Sequence, residues 1–342
     1  MKALVLEEAG EKPRLAVREL PEPPVGPEDV LVKVLACGFC YHDLLVMSDV
    51  LRRGVKPRPV LGHEICGEVV GVGERVSGFA PGDRVTPILT TACGVCPRCL
   101  AGREHRCLYG RGVGHSVDGG FAELVALPQS CLVKLPADVD PIAASLYACP
   151  IGVALRAVRD VADVRPGERV LVTGAGGGLG VHLIQLARLS GASVIAVTSS
   201  PAKVERLRAL GVDEVLLADQ EYLSQLVLGV TGDEGVDVVL NPVGALLFQP
   251  CLESLAQYGR MVVLGEVGSG VAEVHLAELL FRDARILTAT GATRRDVQDV
   301  ARLVADARLA PVVSEVLPLE SAIEANQRLK ARQAFGRIVL RP

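Results

Sequence analysis

The chain has 342 residues and a formal net charge of −4, and 49% of its residues are apolar. This length and apolar content suffice for about two domains, each with its own core. Acidic and basic residues are interspersed along the chain, which excludes the charge signature of a protein that binds nucleic acid or an anionic membrane surface.

The first 150 residues are rich in Gly, Pro and Val and contain short alternating apolar runs. Two such runs, residues 30–35 and 66–72, lie between turn signals at Gly26 followed by Pro27 and at Pro81 followed by Gly82. Alternation with a period of two, bounded by turn residues, is typical of half-buried strands. We therefore expect a mostly β structure in this half.

A cysteine-rich loop interrupts the β pattern, with thiols at Cys93, Cys96, Cys99 and Cys107. Zinc takes four thiolates tetrahedrally, and two-residue gaps let neighbouring sulfur atoms converge on one ion. The spacing predicts a structural zinc site. The chain has ten cysteines and opens without a secretory signal, so we expect a cytoplasmic protein whose thiols remain reduced.

From about residue 153 the pattern changes to short apolar runs that alternate with helical stretches. The runs are residues 170–173, 193–198, 236–240 and 261–264, and the helical stretches include 181–190 and 202–210. This alternation predicts a doubly wound parallel sheet, so the fold class is α/β. The longest uncharged run, residues 170–187, contains Gly, His and Gln and is interpreted as strand, turn and helix rather than a membrane span.

The first of these runs leads into a glycine-rich turn and then a helix. Such a turn presents backbone N–H groups and the positive end of a helix dipole to a pyrophosphate, and the missing side chains allow close approach. The alternative is a turn that only packs the helix on the sheet. The predicted cofactor-binding residues are Gly174, Gly176, Gly177, Gly178, Leu179 and Gly180.

About twenty residues further on, a site that prefers NAD would carry an acidic residue for the ribose 2′-hydroxyl. This chain has Thr198, Ser199 and Ser200 there, which leave room for a 2′-phosphate, and Lys203 or Arg206 could supply positive charge. We therefore expect NADP(H) to be favoured over NAD(H). The same residues would also serve as helix N-caps before a proline.

Over nearly its whole length the chain resembles the zinc-dependent medium-chain alcohol dehydrogenases. The motifs that carry the resemblance are Gly-Phe-Cys-Tyr-His-Asp at 38–43, Gly-His-Glu-Ile-Cys-Gly at 62–67, the cysteine loop, Gly-Gly-Phe-Ala-Glu at 119–123 and the glycine turn. The resemblance implies a GroES-like catalytic domain, residues 1–150 and 291–342, and a Rossmann cofactor domain, residues 151–290. It also implies a homodimer or homotetramer.

The resemblance further implies a catalytic zinc ion held by Cys40, His63 and Cys149, with Glu64 as an occasional fourth ligand. It places Arg294 near the cofactor pyrophosphate. Three protein ligands and an open position suit a catalytic zinc. Two residues separate Cys37 from Cys40, so spacing alone does not exclude Cys37 as the ligand, but the family motif favours Cys40.

Other candidate residues near this site have open interpretations. On an extended chain His63 and Glu64 point to opposite faces, so both reach one metal only if the backbone turns after Gly62. Cys149 could be a core thiol, and Asp43 could orient a ligating imidazole or simply form a salt bridge. The remaining thiols and imidazoles, namely Cys66, Cys131, Cys251, His105, His115, His182 and His275, are interpreted as core or surface residues.

Together these features predict hydride transfer between the nicotinamide ring and an alcohol, aldehyde or ketone, with the two sites meeting in the cleft between the domains. Dehydrogenases of this family usually have Ser or Thr where this chain has His42, which could itself relay the proton. The local sequence also resembles the NADPH-dependent quinone and enoyl-thioester reductases, including acryloyl-CoA reductase. A third hypothesis is a cofactor-binding protein without catalysis.

Overall fold

The structure is a computed structural model that describes residues 1–217, 221–268 and 270–342. In chain order its strands are β1 (Lys2–Glu8), β2 (Arg14–Glu19), β3 (Asp29–Phe39), β4 (Glu64–Val72), β5 (Arg84–Pro87), β6 (Leu124–Pro128), β7 (Leu132–Leu135), β8 (Arg169–Val172), β9 (Ser193–Thr198), β10 (Glu214–Leu217), β11 (Val236–Asn241), β12 (Leu255–Val263), β13 (Arg285–Thr288), β14 (Val313–Pro318) and β15 (Arg337–Arg341).

The helices in the same part of the chain are α1 (Tyr41–Met47), α2 (Pro97–Leu100), α3 (Pro141–Ser145), α4 (Val153–Arg156), α5 (Gly180–Leu189), α6 (Val204–Arg208), α7 (Leu223–Thr231), α8 (Phe248–Glu253), α9 (Leu276–Phe281), α10 (Arg294–Ala305) and α11 (Ala322–Lys330). Short 3₁₀ turns span Glu104–Arg106, Gln129–Cys131, Pro201–Lys203, Ala245–Leu247 and Leu319–Ser321, and π-helical turns span Tyr147–Gly152 and Ala157–Val161. None of these helices combines the length and the apolar composition needed to cross a membrane.

The chain divides into two compact units. Unit 1 contains Met1–Gly152 and Gly291–Pro342, and unit 2 contains Val153–Thr290. Unit 1 is built on a sheet in which β14, β15, β3, β4, β5 and β7 are neighbours in that order, with β6 paired to β3. Except for the parallel pair β14 and β15, the strands of this sheet pair antiparallel. The predicted mostly β structure is confirmed for the N-terminal half.

Register in the unit 1 sheet brings distant parts of the sequence together. Gly38 near the end of β3 lies opposite Glu64, the first residue of β4. On the other side of β3, Ile338 of β15 lies opposite Phe39. The side chain of Phe39 stacks on Phe121 with ring centroids 5.4 Å apart, and this pair is fully buried below the strands. The C-terminal strand is therefore next to the end of β3.

Unit 2 is a parallel sheet with helices between successive strands. Its described strands lie in the order β10, β9, β8, β11, β12 and β13. Counted from β8, this is the order 3-2-1-4-5-6 of a doubly wound dinucleotide-binding sheet. The central strands β8 and β11 are mostly apolar and buried, as expected when both faces of a sheet are covered. The predicted α/β class is confirmed, although the helix expected at 202–210 is a 3₁₀ turn followed by the shorter α6.

Candidate active site

A buried group of four metal-ligand side chains lies in unit 1. The ligand atoms of Cys40, His63, Glu64 and Cys149 are all within 4.8 Å of one another, and the two sulfur atoms are 3.9 Å apart. Each of these residues is at least nine-tenths buried. Within the described residues the two carboxylate oxygens of Glu64 accept no hydrogen bond of ordinary geometry, and the charged group next to them is the guanidinium of Arg337. Two thiols, an imidazole and a carboxylate are a donor set that suits zinc.

The end of β3 and the start of α1 position Cys40. This residue is the N-cap of α1, and its backbone N–H donates to Oδ2 of Asp43 at 2.9 Å. Asp43 is buried, and its other carboxylate oxygen lies 3.5 Å from Nδ1 of His63. The carboxylate therefore binds the backbone of one candidate ligand and lies next to the imidazole of another, whose Nε2 is 3.9 Å from Oε1 of Glu64.

Two glycines allow His63 and Glu64 to enter the group together. Gly62 has a φ of +91°, and a side chain there would collide with the ring of Phe121. A Cβ atom on Gly38 would lie 2.0 Å from Oε2 of Glu64. The turn that the sequence required after Gly62 is present, and the space over Gly38 accommodates the carboxylate.

Cys149 reaches the group from the π-helical turn Tyr147–Gly152, which has Pro150 inside it. A π-helical turn widens the helix by one residue, and such turns are frequent at functional sites. The side chain of Cys37, by contrast, lies close to Gly62 and Gly120, outside the four-residue group. The other cysteines for which the sequence indicates no ligand role, Cys66, Cys131 and Cys251, are buried as well.

Arg337 of β15 is a site residue that the sequence did not indicate. It is buried, and its guanidinium lies 3.0 Å from Oε1 of Glu64. Burial raises the pKa of Glu64 to about 7 despite the positive charge of Arg337. A hydrogen bond from Cys149 holds the pKa of Cys40 well below its usual value, and Arg337 lowers it further. No local spacing could have revealed Arg337, because its strand is the last in the chain.

Two further imidazoles extend from His63. The ring of His42 meets that of His63 edge to face, with centroids 5.0 Å apart, and the ring centroid of His115 also lies 5.0 Å from that of His42. Burial lowers the pKa of His42 and lowers that of His115 to about 4. The sequence indicated His42 but gave no reason to place His115 beside it.

The four cysteines of the loop form a second group, separate from the first. Sulfur atoms of Cys96 and Cys99 are 3.5 Å apart, and those of Cys96 and Cys107 are 3.9 Å apart. Backbone N–H groups of Cys93 and Cys96 donate to the sulfur atoms of Cys107 and Cys93 at 3.3 Å. Backbone hydrogen bonds, first from Leu108, lower the pKa of Cys96 to about 6, which favours a thiolate. The geometry suits a tetrahedral zinc ion.

In unit 2 the glycine turn joins β8 to the N-terminus of α5. Gly174 has a φ of +53°, in the left-handed region that favours glycine. A Cβ atom on Gly180 would lie 2.4 Å from the carbonyl oxygen of Gly174, so only glycine fits where helix meets strand. The buried ring of His182 contacts the carbonyl of Gly178 through Nδ1 at 2.7 Å. The N–H groups at the start of α5 suit an anionic group.

Thr198, Ser199 and Ser200 lie at the end of β9, which pairs in parallel with β8. The turn after β8 and these hydroxyl residues are therefore at the same edge of the sheet. Ser200 precedes the 3₁₀ turn that contains Lys203, but its side chain makes no capping hydrogen bond; its N–H donates to Oγ1 of Thr198 at 3.1 Å.

Arg294 is the first residue of α10 in unit 1. Its backbone N–H donates to Oε1 of Glu104 at 2.8 Å, and its Nε lies 3.8 Å from the same oxygen. Glu104 is buried and belongs to the cysteine loop. Arg294 thus ties α10 to that loop, and its side chain is about half exposed.

Comparison with known proteins identifies both halves of the chain. Residues 26–137 match the family model described as alcohol dehydrogenase GroES-like domain, and residues 178–306 match the model described as zinc-binding dehydrogenase. Both matches cover candidate site residues: the first contains Cys40, His63 and the cysteine loop, and the second begins within the glycine turn.

Curated relatives and solved structures align over the whole chain. An acryloyl-coenzyme A reductase of Sulfurisphaera tokodaii is 32% identical across 100% of both chains. An alcohol dehydrogenase of Geobacillus stearothermophilus is also 32% identical, across 100% of this chain and 99% of its own. The crystal structure of the alcohol dehydrogenase of Aeropyrum pernix covers 100% of both chains with a TM-score of 0.94 and 27% identity.

Proposed function

Because this chain belongs to the zinc-dependent medium-chain alcohol dehydrogenase family, we propose that it is a zinc-dependent oxidoreductase that transfers a hydride between NADP(H) and an alcohol, aldehyde or ketone. The observation that carries the proposal is the convergence of Cys40, His63, Glu64 and Cys149 within 4.8 Å in unit 1. Three protein ligands with a displaceable fourth are the pattern of a catalytic zinc rather than of a structural one.

The chain's own residues have separable roles in this proposal. Cys40, His63 and Cys149 would hold the metal. Asp43 lies next to Nδ1 of His63 and would orient the imidazole so that Nε2 faces the metal. Arg337 pairs with Oε1 of Glu64 at 3.0 Å and would hold this carboxylate beside the other three ligands. When bound, zinc would polarise a carbonyl or lower the pKa of an alcohol, and the nicotinamide would supply or accept the hydride.

His42 is the proposed proton carrier. Its imidazole contacts the ring of His63, and burial keeps its pKa below the ordinary value, so the neutral form with a free lone pair predominates at neutral pH. A neutral imidazole can accept the proton of an alcohol or return it to a carbonyl oxygen. Its position thus supports a direct relay in place of the Ser or Thr that this family usually carries.

The cysteine loop is the proposed site of a second, structural zinc ion. Its four thiols leave no open coordination position, so we assign it no part in the reaction. The backbone N–H groups of Cys93 and Cys96 donate to sulfur atoms of the loop, which stabilises thiolates in a closed site. Bound zinc would stabilise the loop and, through Glu104, the start of α10 that carries Arg294.

The cofactor is proposed to bind at the glycine turn, Gly174 to Gly180, with its phosphates at the N-terminus of α5. Preference for NADP(H) rests on Thr198, Ser199, Ser200 and Lys203 at the neighbouring strand end. Arg294 remains a proposed pyrophosphate contact. Dissociation constants for NADPH and NADH, measured by fluorescence titration, test the preference, and tighter binding of NADH would refute it.

The second candidate function is NADPH-dependent reduction of an enoyl thioester. Full-length similarity to acryloyl-coenzyme A reductases of two organisms favours it, as does an imidazole at position 42. Here the thioester carbonyl would be the group polarised at the Cys40 site, the hydride of NADPH would add to the β-carbon of the double bond, and a proton would add to the α-carbon.

The deciding experiment follows NADPH oxidation by the zinc-loaded protein with two substrates in parallel, a simple aldehyde and an acryloyl thioester. Turnover of the aldehyde alone supports the first candidate, and turnover of the thioester alone supports the second. A Cys40→Ser variant serves as the blank for both. If neither substrate reacts and NADPH still binds, the chain is a cofactor-binding protein without this catalysis.

We further propose a cytoplasmic homodimer or homotetramer that acts on small molecules. Family membership supports the assembly, and the six thiols of the two clusters need a reducing compartment to stay available to metal. Sedimentation velocity tests the assembly, and a monomer at micromolar concentration would contradict it.

A further inference from the structure

The segment between α1 and the start of β4 carries an unusual density of positive charge. Residues 51–58, here called the basic loop, contain Arg52, Arg53, Lys56 and Arg58 and no carboxylate, in a chain whose net charge is −4. The three arginines of the basic loop are exposed. Such a local concentration of like charge raises the local concentration of anions.

The basic loop lies beside the imidazoles of the candidate active site. The N–H of Lys56 donates to the carbonyl of His115 at 2.8 Å, and a Cβ atom on Gly54 would lie 3.4 Å from Oγ of Ser116. His115 in turn contacts His42, which contacts His63. A path of direct contacts therefore connects the basic loop to the metal-ligand group, all within unit 1.

Most cations of the basic loop already have carboxylate partners. Arg52 pairs with Asp49 at 3.0 Å and Lys56 with Asp118 at 2.6 Å. Arg58 lies 3.6 Å from Glu7, a carboxylate that it shares with Arg14 and Arg18. These three cations are at least partly neutralised, which leaves Arg53 as the exception.

Two guanidinium groups near His115 have no carboxylate partner within the described residues. Arg53 makes neither a hydrogen bond nor an ion pair there, and Arg111 donates only to the backbone carbonyl of Ser116, at 2.7 Å. A Cβ atom on Gly54, the residue after Arg53, would lie 3.4 Å from Oγ of Ser116, so the backbone next to Arg53 and the guanidinium of Arg111 are both close to Ser116. A planar guanidinium is the side chain best suited to bind phosphate through paired hydrogen bonds.

We propose that Arg53 and Arg111 bind the phosphate groups of a coenzyme A thioester whose acyl end lies at the Cys40, His63 and Cys149 site. This inference deepens the second candidate function and rests on it. Coenzyme A carries its phosphates at the far end of a long pantetheine arm, so a cationic site set back from the metal by two imidazoles suits it. A simple aldehyde has no group for these arginines to bind.

The experiment measures binding of butyryl-CoA, a saturated thioester with no double bond to reduce, to the zinc-loaded protein saturated with NADP⁺. Saturation with the dinucleotide keeps butyryl-CoA from the glycine turn. The second ligand is butyryl-N-acetylcysteamine, which has the same thioester and no phosphate. Variants are Arg53→Gln and Arg111→Gln, and Arg75→Gln, an exposed arginine on the turn between β4 and β5, is the matched control.

We expect each of Arg53→Gln and Arg111→Gln to raise the dissociation constant of butyryl-CoA about tenfold, because each variant loses a charge-assisted hydrogen bond to the phosphate. The affinity of Arg53→Gln and Arg111→Gln for butyryl-N-acetylcysteamine should stay within about twofold of that of the unmodified protein, because this ligand has no phosphate. The affinity of Arg75→Gln for butyryl-CoA should likewise stay within about twofold. Added salt should weaken butyryl-CoA in the unmodified protein more than in Arg53→Gln, because exposed charges are screened. Within the described residues Arg53 has no hydrogen-bond or ion-pair partner, so Arg53→Gln should fold normally. This variant therefore still tests the inference if Arg111→Gln fails to fold.

Equal affinity of the unmodified protein for the two thioesters would overturn the inference, and so would a normal butyryl-CoA affinity in Arg53→Gln. Turnover assays on the same preparations separate this failure from that of the proposed function. If the protein reduces acryloyl-N-acetylcysteamine and Arg53→Gln reduces acryloyl-CoA as well as the unmodified protein does, the reductase function stands and the phosphate site is refuted. Aldehyde turnover with no thioester binding removes both the second candidate and the phosphate site and leaves the first candidate.

Discussion

The two metal-ligand clusters of unit 1 are built in different ways. The cysteine loop draws its ligands from one short stretch between Cys93 and Cys107, and backbone N–H groups of that stretch hydrogen-bond its sulfur atoms. The Cys40 cluster draws on three separate segments and is surrounded by charged side chains, Asp43 and Arg337. A local cluster can bind a metal and stabilise its own loop. A cluster with charged neighbours from several strands can tune the reactivity of what it holds.

Burial sharpens the contrast. Cys93 and Cys99 are partly exposed, whereas Cys40, His63, Glu64 and Cys149 are buried. In the Cys40 cluster, a hydrogen bond from Cys149 lowers the pKa of Cys40, and burial raises the pKa of Glu64 to about 7. Desolvation makes each charge there depend on its neighbours, so substitutions at the two clusters should have different consequences.

The largest effect is expected at the Cys40 cluster. Replacing Cys40 with Ser removes a thiolate ligand, and loss of the metal's contribution should lower kcat about a thousandfold or more with little change in melting temperature. Cys37→Ser is the matched control, because its thiol lies outside the cluster, and it should retain activity. An inactive Cys37→Ser protein beside an active Cys40→Ser protein would exchange the two assignments.

The next effect tests whether Arg337 belongs to the same cluster. Arg337→Gln leaves the buried carboxylate of Glu64 without its ion-pair partner, which should lower the free energy of unfolding by about 3–5 kcal/mol. Denaturant unfolding measures this loss. Arg341→Gln, an exposed position on the same strand, is the control. If both variants unfold alike, Glu64 does not depend on Arg337.

At the cysteine loop we expect a smaller effect of a different kind. Cys93→Ser should release one zinc ion per chain and lower the melting temperature by about 5 °C, the change that a loss of about 2 kcal/mol produces in a domain of this size. The kcat should stay within a few-fold of the unmodified value. Metal analysis and calorimetry provide the readouts, and a thousandfold loss of activity would show that the two clusters are not independent.

The smallest effect concerns an ion pair that belongs to unit 2, whereas both clusters belong to unit 1, and this pair serves as a reference for the Arg337 pair. Arg260 is buried and donates to both carboxylate oxygens of Glu168, at 2.9 and 2.7 Å. Burial alone would raise the pKa of Glu168, but the hydrogen bonds and positive charge of Arg260, together with the N–H and charge of Arg165, hold the pKa below the ordinary value. Glu168→Gln should cost about 1–2 kcal/mol at pH 7.

The pH dependence of that cost has a definite sign. Because the pKa of Glu168 is lower in the folded protein, its stabilisation is complete above the unfolded value of about 4.3 and is lost as pH falls through the folded value. Urea unfolding should therefore show a smaller difference in free energy of unfolding between the unmodified protein and Glu168→Gln below pH 4 than at pH 7. A difference that is independent of pH would assign the cost to packing.

The sequence by itself predicted those features of the protein whose residues are close together in the chain, the cysteine loop and the order of strands and helices in unit 2. The spacing of Cys93, Cys96, Cys99 and Cys107 predicted a group that the structure brings together, because short gaps leave the sulfur atoms few other arrangements. Alternation of apolar strands and helices predicted the doubly wound sheet for the same reason, since each element is encoded locally.

Only the tertiary structure decided which distant residues meet. It joined Cys40 rather than Cys37 to Cys149, placed Arg337 beside Glu64 and His115 beside His42, and paired Arg294 with Glu104. These contacts depend on the registers of β15, β3 and β4 and on one π-helical turn. A register is determined by the packing of whole strands against a core, and no short stretch of the chain contains that information.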